Sequence, residues 1–297
     1  MRSRNSLGAL ALLLVGCGGG VPASVPPKLD LPIPPADSGD NAGAAEAPPA
    51  PRPRPSPPEP PLAEVPHAEI EVTPAIQAIV DAKDRSDDDR KLDAGRHPAQ
   101  FLAFVRAMPG MTVAEIGAAS GYTTELLARA VGPKGRVYAE NSPRLLKFVD
   151  KPWSERLKKK AMKNVVRLDR EMDDPFGAEV KNLDLVVINM VYHDTFNWKV
   201  DTDKMNKAVL AALKPGGAYV IIDHASRPGR GKTETETLHR IDERAVRDDL
   251  DRAGFKLLED TDFFRNKGDA RDWSTSPGAA GDRRGTSDRF ALRFIKP

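Results

Sequence analysis

The clearest pattern of apolar and polar positions lies near the middle of the chain. An apolar run at residues 112–116 predicts a strand, and five small residues at 117–121 follow it. Residues 122–131 place apolar side chains at the spacing of an amphipathic helix. A second apolar run, at residues 136–139, ends in Glu140. The pattern predicts one βαβ unit with a tight turn of small residues after its first strand.

Strands and helices continue to alternate beyond this unit. The continuous apolar stretch at residues 183–190 is typical of a parallel strand that is buried on both faces. Residues 208–213 close a helix before a Lys-Pro-Gly-Gly turn, and residues 233–253 predict one long helix. Further strands are predicted at residues 164–168, 218–223, 255–258 and 289–295. The alternation predicts an α/β fold with a doubly wound, mostly parallel sheet of seven strands.

The small residues of the loop indicate a bound nucleotide-type cofactor. They let the backbone approach a ligand closely, and the start of the following helix offers unpaired N–H groups. Glu140 lies about 20 positions beyond the loop, where a carboxylate can accept hydrogen bonds from ribose hydroxyls. A dinucleotide fingerprint would need a small residue at position 122, which is Tyr122. The spacing is instead Glu115-x-Gly117-x-Ala119-x-Gly121.

This spacing resembles motif I of the class I S-adenosylmethionine (SAM)-dependent methyltransferases, with Ala119 in place of the middle glycine. The resemblance implies a Rossmann-like methyltransferase fold and SAM as cofactor. Shorter pieces, such as those at residues 96–99, 191–194, 238–242 and 287–290, resemble a bacterial family of exported SAM-dependent methyltransferases. The cofactor-binding residues that the resemblance implies are Glu115, Gly117, Ala118, Ser120, Gly121, Glu140, Asp169 and Asn189.

Polar residues after the fourth and fifth predicted strands mark the acceptor end of the site. His193 and Asp194 follow one strand, and Asp223 and His224 end the next. Ligands in open α/β sheets lie beyond the carboxyl ends of the strands, so these side chains should face one crevice. His193 or His224 could act as a general base, with Asp194 or Asp223 orienting it. Hydrogen-bonded residues that only close the loops are an equal alternative.

Two further alternatives remain open from the sequence. His193, Asp194, Asp223 and His224 are suitable ligands for Zn or Mn, although no local pair at helical spacing supports a metal site, and none is expected. The second alternative is a methyltransferase-like fold that has lost catalytic activity and serves as a ligand-binding or scaffold module. SAM titration and metal analysis separate these possibilities.

The N-terminus predicts export and a lipid anchor. Arg2 and Arg4 precede a short apolar core at residues 7–15, and the sequence then reaches Cys17. This arrangement resembles the signal peptide and lipobox of bacterial lipoproteins, with residues 1–16 removed and Cys17 lipidated. We expect a bacterial envelope protein that is anchored on the extracytoplasmic side and does not span the membrane. Cys17 is the only cysteine, so no intrachain disulfide can form.

Composition separates a tether from one domain. Residues 17–66 are rich in proline, alanine and glycine, and they predict a disordered linker because such a composition buries little apolar surface. Residues 67–297 are long enough for one domain with a full core. Their segment at residues 81–93 is expected to form a helical cover, with Arg85 and Asp89 paired one turn apart.

Charge gives little reason to expect a nucleic-acid partner. The formal net charge is only +2, and a strongly basic balance is the usual mark of such proteins. One basic run, at residues 156–167, is expected to be a solvated face rather than a polyanion site. A small molecule is therefore the expected methyl acceptor.

Overall fold

The computed structural model describes residues 62–297, and these form a seven-stranded sheet with helices on both faces. The strand order is β3-β2-β1-β4-β5-β7-β6, and every neighbouring pair is parallel except those that involve β7. The predicted doubly wound, mostly parallel sheet is therefore confirmed. Cys17, the signal segment and the predicted linker up to Pro61 lie outside the described residues.

The predicted strands all form, with small changes at their ends. The strands are β1 (Thr112–Ile116), β2 (Arg136–Asn141), β3 (Val165–Asp169), β4 (Leu183–Asn189), β5 (Leu213–His224), β6 (Lys256–Thr261) and β7 (Arg289–Ile295). The β5 strand begins before the predicted Lys-Pro-Gly-Gly turn, because Leu213 already pairs with Leu183 before a register shift. Chain order reverses on the two sides of β1, and this places the carboxyl ends of β1, β2 and β4 around one crevice.

Helices cover both faces of the sheet. They are α1 (Pro74–Val80), α2 (Asp87–Arg96), α3 (Pro98–Val105), α4 (Tyr122–Val131), α5 (Pro143–Leu157), α6 (Tyr192–Asn197), α7 (Thr202–Ala212), α8 (Thr235–Leu238) and α9 (Glu243–Ala253). Apolar residues of α3, α4 and α5 share one core with alternate residues of the central strands. Residues of α6, α7 and α9 share a second core on the opposite face. Two cores on two faces follow from the alternation of side chains along each strand.

The single long helix predicted at residues 233–253 is wrong. Its sequence forms α8 and α9, which are separated at His239, where the backbone adopts a left-handed conformation with φ of 52°. The fully buried Arg240 donates to the carbonyls of Trp273 and Ala225 and pairs with Asp269. These tertiary hydrogen bonds hold Arg240 between α8 and α9, and they outweigh the local helical spacing.

The charged segment at residues 81–93 also differs from its prediction. Ser86 caps the start of α2, so Arg85 lies before the helix and cannot pair with Asp89 across one turn. Arg85 instead forms two hydrogen bonds with Asp93, and Asp89 pairs with Arg156 on α5. Helix capping therefore decides the pairing here, because it sets which residues share the helical geometry.

Residues just before His67, the predicted start of the domain, also make hydrogen bonds to it. The carbonyl of Ala63 accepts a hydrogen bond from Arg247 at 2.9 Å, and the carbonyl of Pro66 accepts one from the Asp260 amide at 3.1 Å. These contacts join the start of the described segment to β6 and α9. Among residues 62–297, no helix has the length and apolar character needed to cross a membrane.

Candidate functional site

A loop of tightly constrained backbone joins β1 to α4. Gly117 and Gly121 have positive φ values of 69° and 82°, a region that glycine adopts without a steric penalty. Ala119 also has a positive φ, 50°, at the position where the resembled motif carries glycine. The loop therefore keeps the glycine-like backbone at this position despite its alanine, at the cost of some strain.

Glu140 and Asn141, at the end of β2, hold this loop in place. The Gly117 amide donates to Glu140 Oε2 at 3.0 Å, and the Ala118 amide donates to the Glu140 carbonyl at 2.9 Å. Asn141 accepts from the Ala119 amide and donates to the Ala119 carbonyl, at 2.7 and 3.0 Å. The end of β2 thus fixes three consecutive loop residues.

Glu140 keeps one carboxylate oxygen without a partner. Its Oε1 is buried and makes no hydrogen bond among the described residues. Burial raises the pKa of Glu140 to about 8, against the opposing effect of the Gly117 hydrogen bond. A buried acceptor without a donor is costly, and hydroxyl groups of a bound ligand would satisfy it. The ribose-binding role of Glu140 stays a prediction.

Glu115 and Asn189 form hydrogen bonds with threonine side chains in the first turn of α4. Glu115 is buried and accepts a hydrogen bond from the Thr124 hydroxyl at 2.5 Å, and burial raises the pKa of its carboxyl to about 7. The side-chain Nδ2 of Asn189 donates to the Thr123 hydroxyl at 3.1 Å. The Oδ1 of Asn189 is buried and has no partner among the described residues. Asn189 thus offers a second free acceptor beside the loop.

The remaining predicted cofactor residues have partners within the protein. The carbonyl of Ser120 accepts a hydrogen bond from Arg156, at 2.6 Å. Asp169 is exposed at the end of β3 and pairs with Arg167 at 2.7 Å. The carboxylate of Asp169 is therefore open to solvent at the edge of the crevice, one strand away from Glu140.

The basic run is largely neutralised by acidic partners. Arg156 is mostly buried and pairs with Asp89 and Glu125, and Lys159 pairs with Glu125 as well. Arg167 pairs with Asp150 besides Asp169. These residues hold α5 against the loop and α2, so part of the run is structural rather than a solvated face.

At the acceptor end, Asp223 holds the ring of His193. Asp223 is fully buried at the end of β5, and its carboxylate accepts from the His193 amide and contacts His193 Nδ1, both at 2.7 Å. Burial lowers the pKa of His193, but the adjacent Asp223 carboxylate outweighs it, so that the pKa is raised overall. Asp223 thus occupies one ring nitrogen and leaves Nε2 for other contacts.

Asp194 and His224 lie beside this pair. Asp194 is half-buried, and its Oδ1 lies 3.4 Å from His193 Nε2 and 3.3 Å from His239 Nδ1. Burial raises the pKa of Asp194, but its contacts with His239 and His193 outweigh this and lower it. His224 Nδ1 contacts the Ser287 hydroxyl at 2.8 Å, and burial, with the nearby His193, holds its pKa well below the ordinary value. His224 is therefore neutral in neutral solution.

The structure adds residues to the site that sequence patterns did not assign to it. Asn141 directly follows Glu140, but the spacing of residues in the sequence does not indicate its hydrogen bonds to Ala119. His239 lies with its ring 5.4 Å from that of His193, although a continuous helix was predicted there. Ser287, which belongs to one of the short resembled pieces, contacts His224. These contacts join segments up to about 60 residues apart in sequence, so local patterns carry no signal for them.

Comparison with known proteins agrees with this geometry. Residues 77–179 match the family model described as Protein-L-isoaspartate(D-aspartate) O-methyltransferase. A SAM-dependent methyltransferase from Aquifex aeolicus is similar in structure, with a TM-score of 0.52 and 18% identity over 75% of this chain and 98% of its own. A putative sarcosine dimethylglycine methyltransferase from Galdieria sulphuraria has a TM-score of 0.52 and 15% identity over 77% and 93%. The chain therefore has the fold of SAM-dependent methyltransferases, and the partial family match supports SAM as its cofactor.

Proposed function

We propose that this chain is a SAM-dependent methyltransferase that acts on a small-molecule acceptor. The observation that carries the proposal is the unpaired Oε1 of Glu140, which lies at the end of β2 beside a loop that Glu140 itself supports. A second unpaired oxygen, on Asn189, lies at the end of β4. These two buried acceptors lie at the ends of β2 and β4, which flank β1. They match a ligand with several hydroxyl and amino donors.

SAM supplies a methyl group on a positively charged sulfur, and the chain must bind it and align the acceptor in line. In this proposal the loop residues Gly117, Ala118, Ser120 and Gly121 hold the methionine part, and Glu115 supports them from below. Glu140 binds the ribose, Asp169 lies near the adenine, and Asn189 faces the cofactor from β4.

The acceptor end is formed in this proposal by His193, Asp194 and His224. Asp223 bonds His193 Nδ1 and thereby fixes the ring, so Nε2 is the nitrogen that can serve the reaction. His193 is mostly buried, and an acceptor that reaches it would be shielded from water. His193 is thus the proposed catalytic residue, while Asp194 and His224 border the position of the acceptor.

Calorimetric titration of the purified protein with SAM and S-adenosylhomocysteine tests the cofactor. We expect stoichiometric binding, weakened by about 1–3 kcal/mol in Glu140→Ala, the scale of a buried polar group that loses its hydrogen-bond partner. The exposed Glu155, which pairs with Lys158 on the same helix surface, provides the control variant Glu155→Ala. Undetectable binding to the wild type would favour the scaffold alternative, in which the fold has lost its chemistry.

The acceptor can be sought by screening phenols, thiols, amines and isoaspartyl peptides with labelled SAM. The peptides are included because of the partial match to the isoaspartate methyltransferase model. With an acceptor in hand, His193→Ala should lower turnover by about 10²–10⁴ while SAM affinity stays nearly unchanged. Retained turnover in this variant would reduce His193 to a structural role.

We also propose that the protein is a lipoprotein of the bacterial envelope, anchored on the extracytoplasmic side. Its support is the short apolar core before Cys17 and the proline-rich composition that follows it. In this proposal residues 1–16 are removed, Cys17 carries the lipid, and the proline-rich linker that follows separates the domain from the membrane.

A further inference from the structure

Three residues of metal-binding types meet at the acceptor end of the sheet. His193, Asp194 and His239 each offer one ligand atom, and these atoms lie within 4.8 Å of one another. We propose that they bind a divalent transition-metal ion of the Zn²⁺ class through His193 Nε2, an Asp194 carboxylate oxygen and His239 Nδ1. The proposal goes beyond methyl transfer and does not depend on it, because it stands on the geometry of the ligands.

The separations between Asp194 Oδ1 and the two histidine nitrogens fit a tetrahedral ion. Asp194 Oδ1 lies 3.4 Å from His193 Nε2 and 3.3 Å from His239 Nδ1. Both distances exceed the length of about 2.7–2.9 Å that is usual for a charge-assisted hydrogen bond. Zinc bonds of about 2.0–2.2 Å place neighbouring tetrahedral ligands about 3.3–3.6 Å apart. The two measured separations fall in that range.

A second set of residues orients the ligands. Asp223 Oδ1 contacts His193 Nδ1 at 2.7 Å, and this contact turns Nε2 towards Asp194. A metal-binding histidine almost always gives its other nitrogen to a carboxylate or carbonyl in this way. Asn197 Nδ2 approaches Asp194 Oδ1 at 3.4 Å and restrains that carboxylate. Asp223 is therefore a positioning residue in this proposal and not a ligand.

The break between α8 and α9 brings the third ligand into place. His239 has a left-handed backbone with φ of 52°, and its ring lies 5.4 Å from that of His193. The side chains of His239 and Asp194 are 30% and 17% exposed, against 4% for His193, so an ion can approach from solvent. Two imidazoles and one carboxylate favour zinc-like ions over magnesium or calcium.

Three protein ligands leave one position of a tetrahedral ion open. An ion of this kind lowers the pKa of a water or hydroxyl group bound at the open position. Coordination also uses the lone pair of His193 Nε2. In the metal-loaded protein His193 is therefore a ligand, and the role of proton acceptor proposed above belongs to the metal-free protein alone.

Metal binding can be measured on the full chain without any methyl acceptor. We expect metal-free protein to bind one Zn²⁺ or Co²⁺ per chain, with the visible absorption of tetrahedral Co²⁺ and a higher melting temperature with Zn²⁺. His239→Asn should lower affinity at least tenfold, because asparagine tolerates the left-handed backbone but lacks the ring nitrogen. Asp223→Asn should lower affinity about 10–100-fold through the orientation of His193.

His67 provides a matched control, because it is an exposed histidine that contacts Asp260 and Asp262 away from this cluster. His67→Ala should bind metal like the wild type. The proposal is overturned if the wild type takes up no stoichiometric metal, or if His239→Asn and the folded variant Asp194→Asn both bind as tightly as wild type. Metal uptake without SAM binding would reject the proposed function and keep this inference. SAM binding without metal uptake would reject this inference and keep the proposed function.

Discussion

At the scale of single residues, the buried carboxyl of Glu140 links the cofactor site to stability. Burial raises its pKa to about 8 from a usual value near 4.5. The folded protein therefore holds this proton more tightly than the unfolded chain does. Its contribution to stability is fully present below pH 4.5 and is lost as the pH rises towards 8.

We expect Glu140→Gln to remove this loss of stability at high pH, because the glutamine amide keeps an acceptor for Gly117 and cannot ionise. Without SAM, the variant should gain about 4 kcal/mol relative to wild type between pH 5 and pH 9. Denaturant unfolding at the two pH values measures the difference, and Glu155→Gln is the control for the chemical change. An identical pH dependence in the wild type and Glu140→Gln would show that Glu140 is already ionised in the folded state.

At the scale of elements, the loop after β1 packs directly against α5. A Cβ on Gly121 would overlap Cζ3 of Trp153, and one on Gly117 would lie 2.8 Å from a methyl carbon of Val191. Trp153 is fully buried. These glycines are therefore required by the contacts of the protein with itself, whether or not a cofactor is bound. The sequence analysis interpreted the spacing of these glycines only as a sign of cofactor binding.

Gly121→Ala should destabilise the protein by about 2–4 kcal/mol, through backbone strain and the clash with Trp153. Gly110 has a similar φ of 88°, but nothing lies within 4 Å of the position that a Cβ would take. Gly110→Ala should therefore cost only the strain, about 1–2 kcal/mol. Thermal or denaturant unfolding without SAM measures both variants. Equal losses would show that α5 yields to the extra methyl group at little cost.

At the scale of the whole molecule, the predicted anchor would attach the domain to a membrane. We expect Cys17 to carry lipid after cleavage and the wild type to fractionate with membranes, because dual acylation gives stable attachment. Cys17→Ser should leave the protein uncleaved or soluble, as mass spectrometry of the N-terminus and fractionation would show. A wild-type protein that is soluble and keeps Met1 would contradict the anchor.

The sequence by itself determined the seven strands in their order along the chain, the loop between β1 and α4, and the place of Glu140 near the end of β2. These features follow from side-chain periodicity and from glycine placement, which act over a few residues. The same local signals predicted that residues after β4 and β5 would meet, because the carboxyl ends of parallel strands lie at one edge of a sheet.

Only the tertiary structure decided which of those residues touch. Asp223 bonds His193, His224 turns to Ser287, and His239 joins Asp194 in place of a helical turn. The predicted helix breaks because Arg240 finds buried partners on distant segments, and those bonds outweigh local helix propensity. A local pattern cannot report such contacts, because their energy comes from groups that only folding brings together.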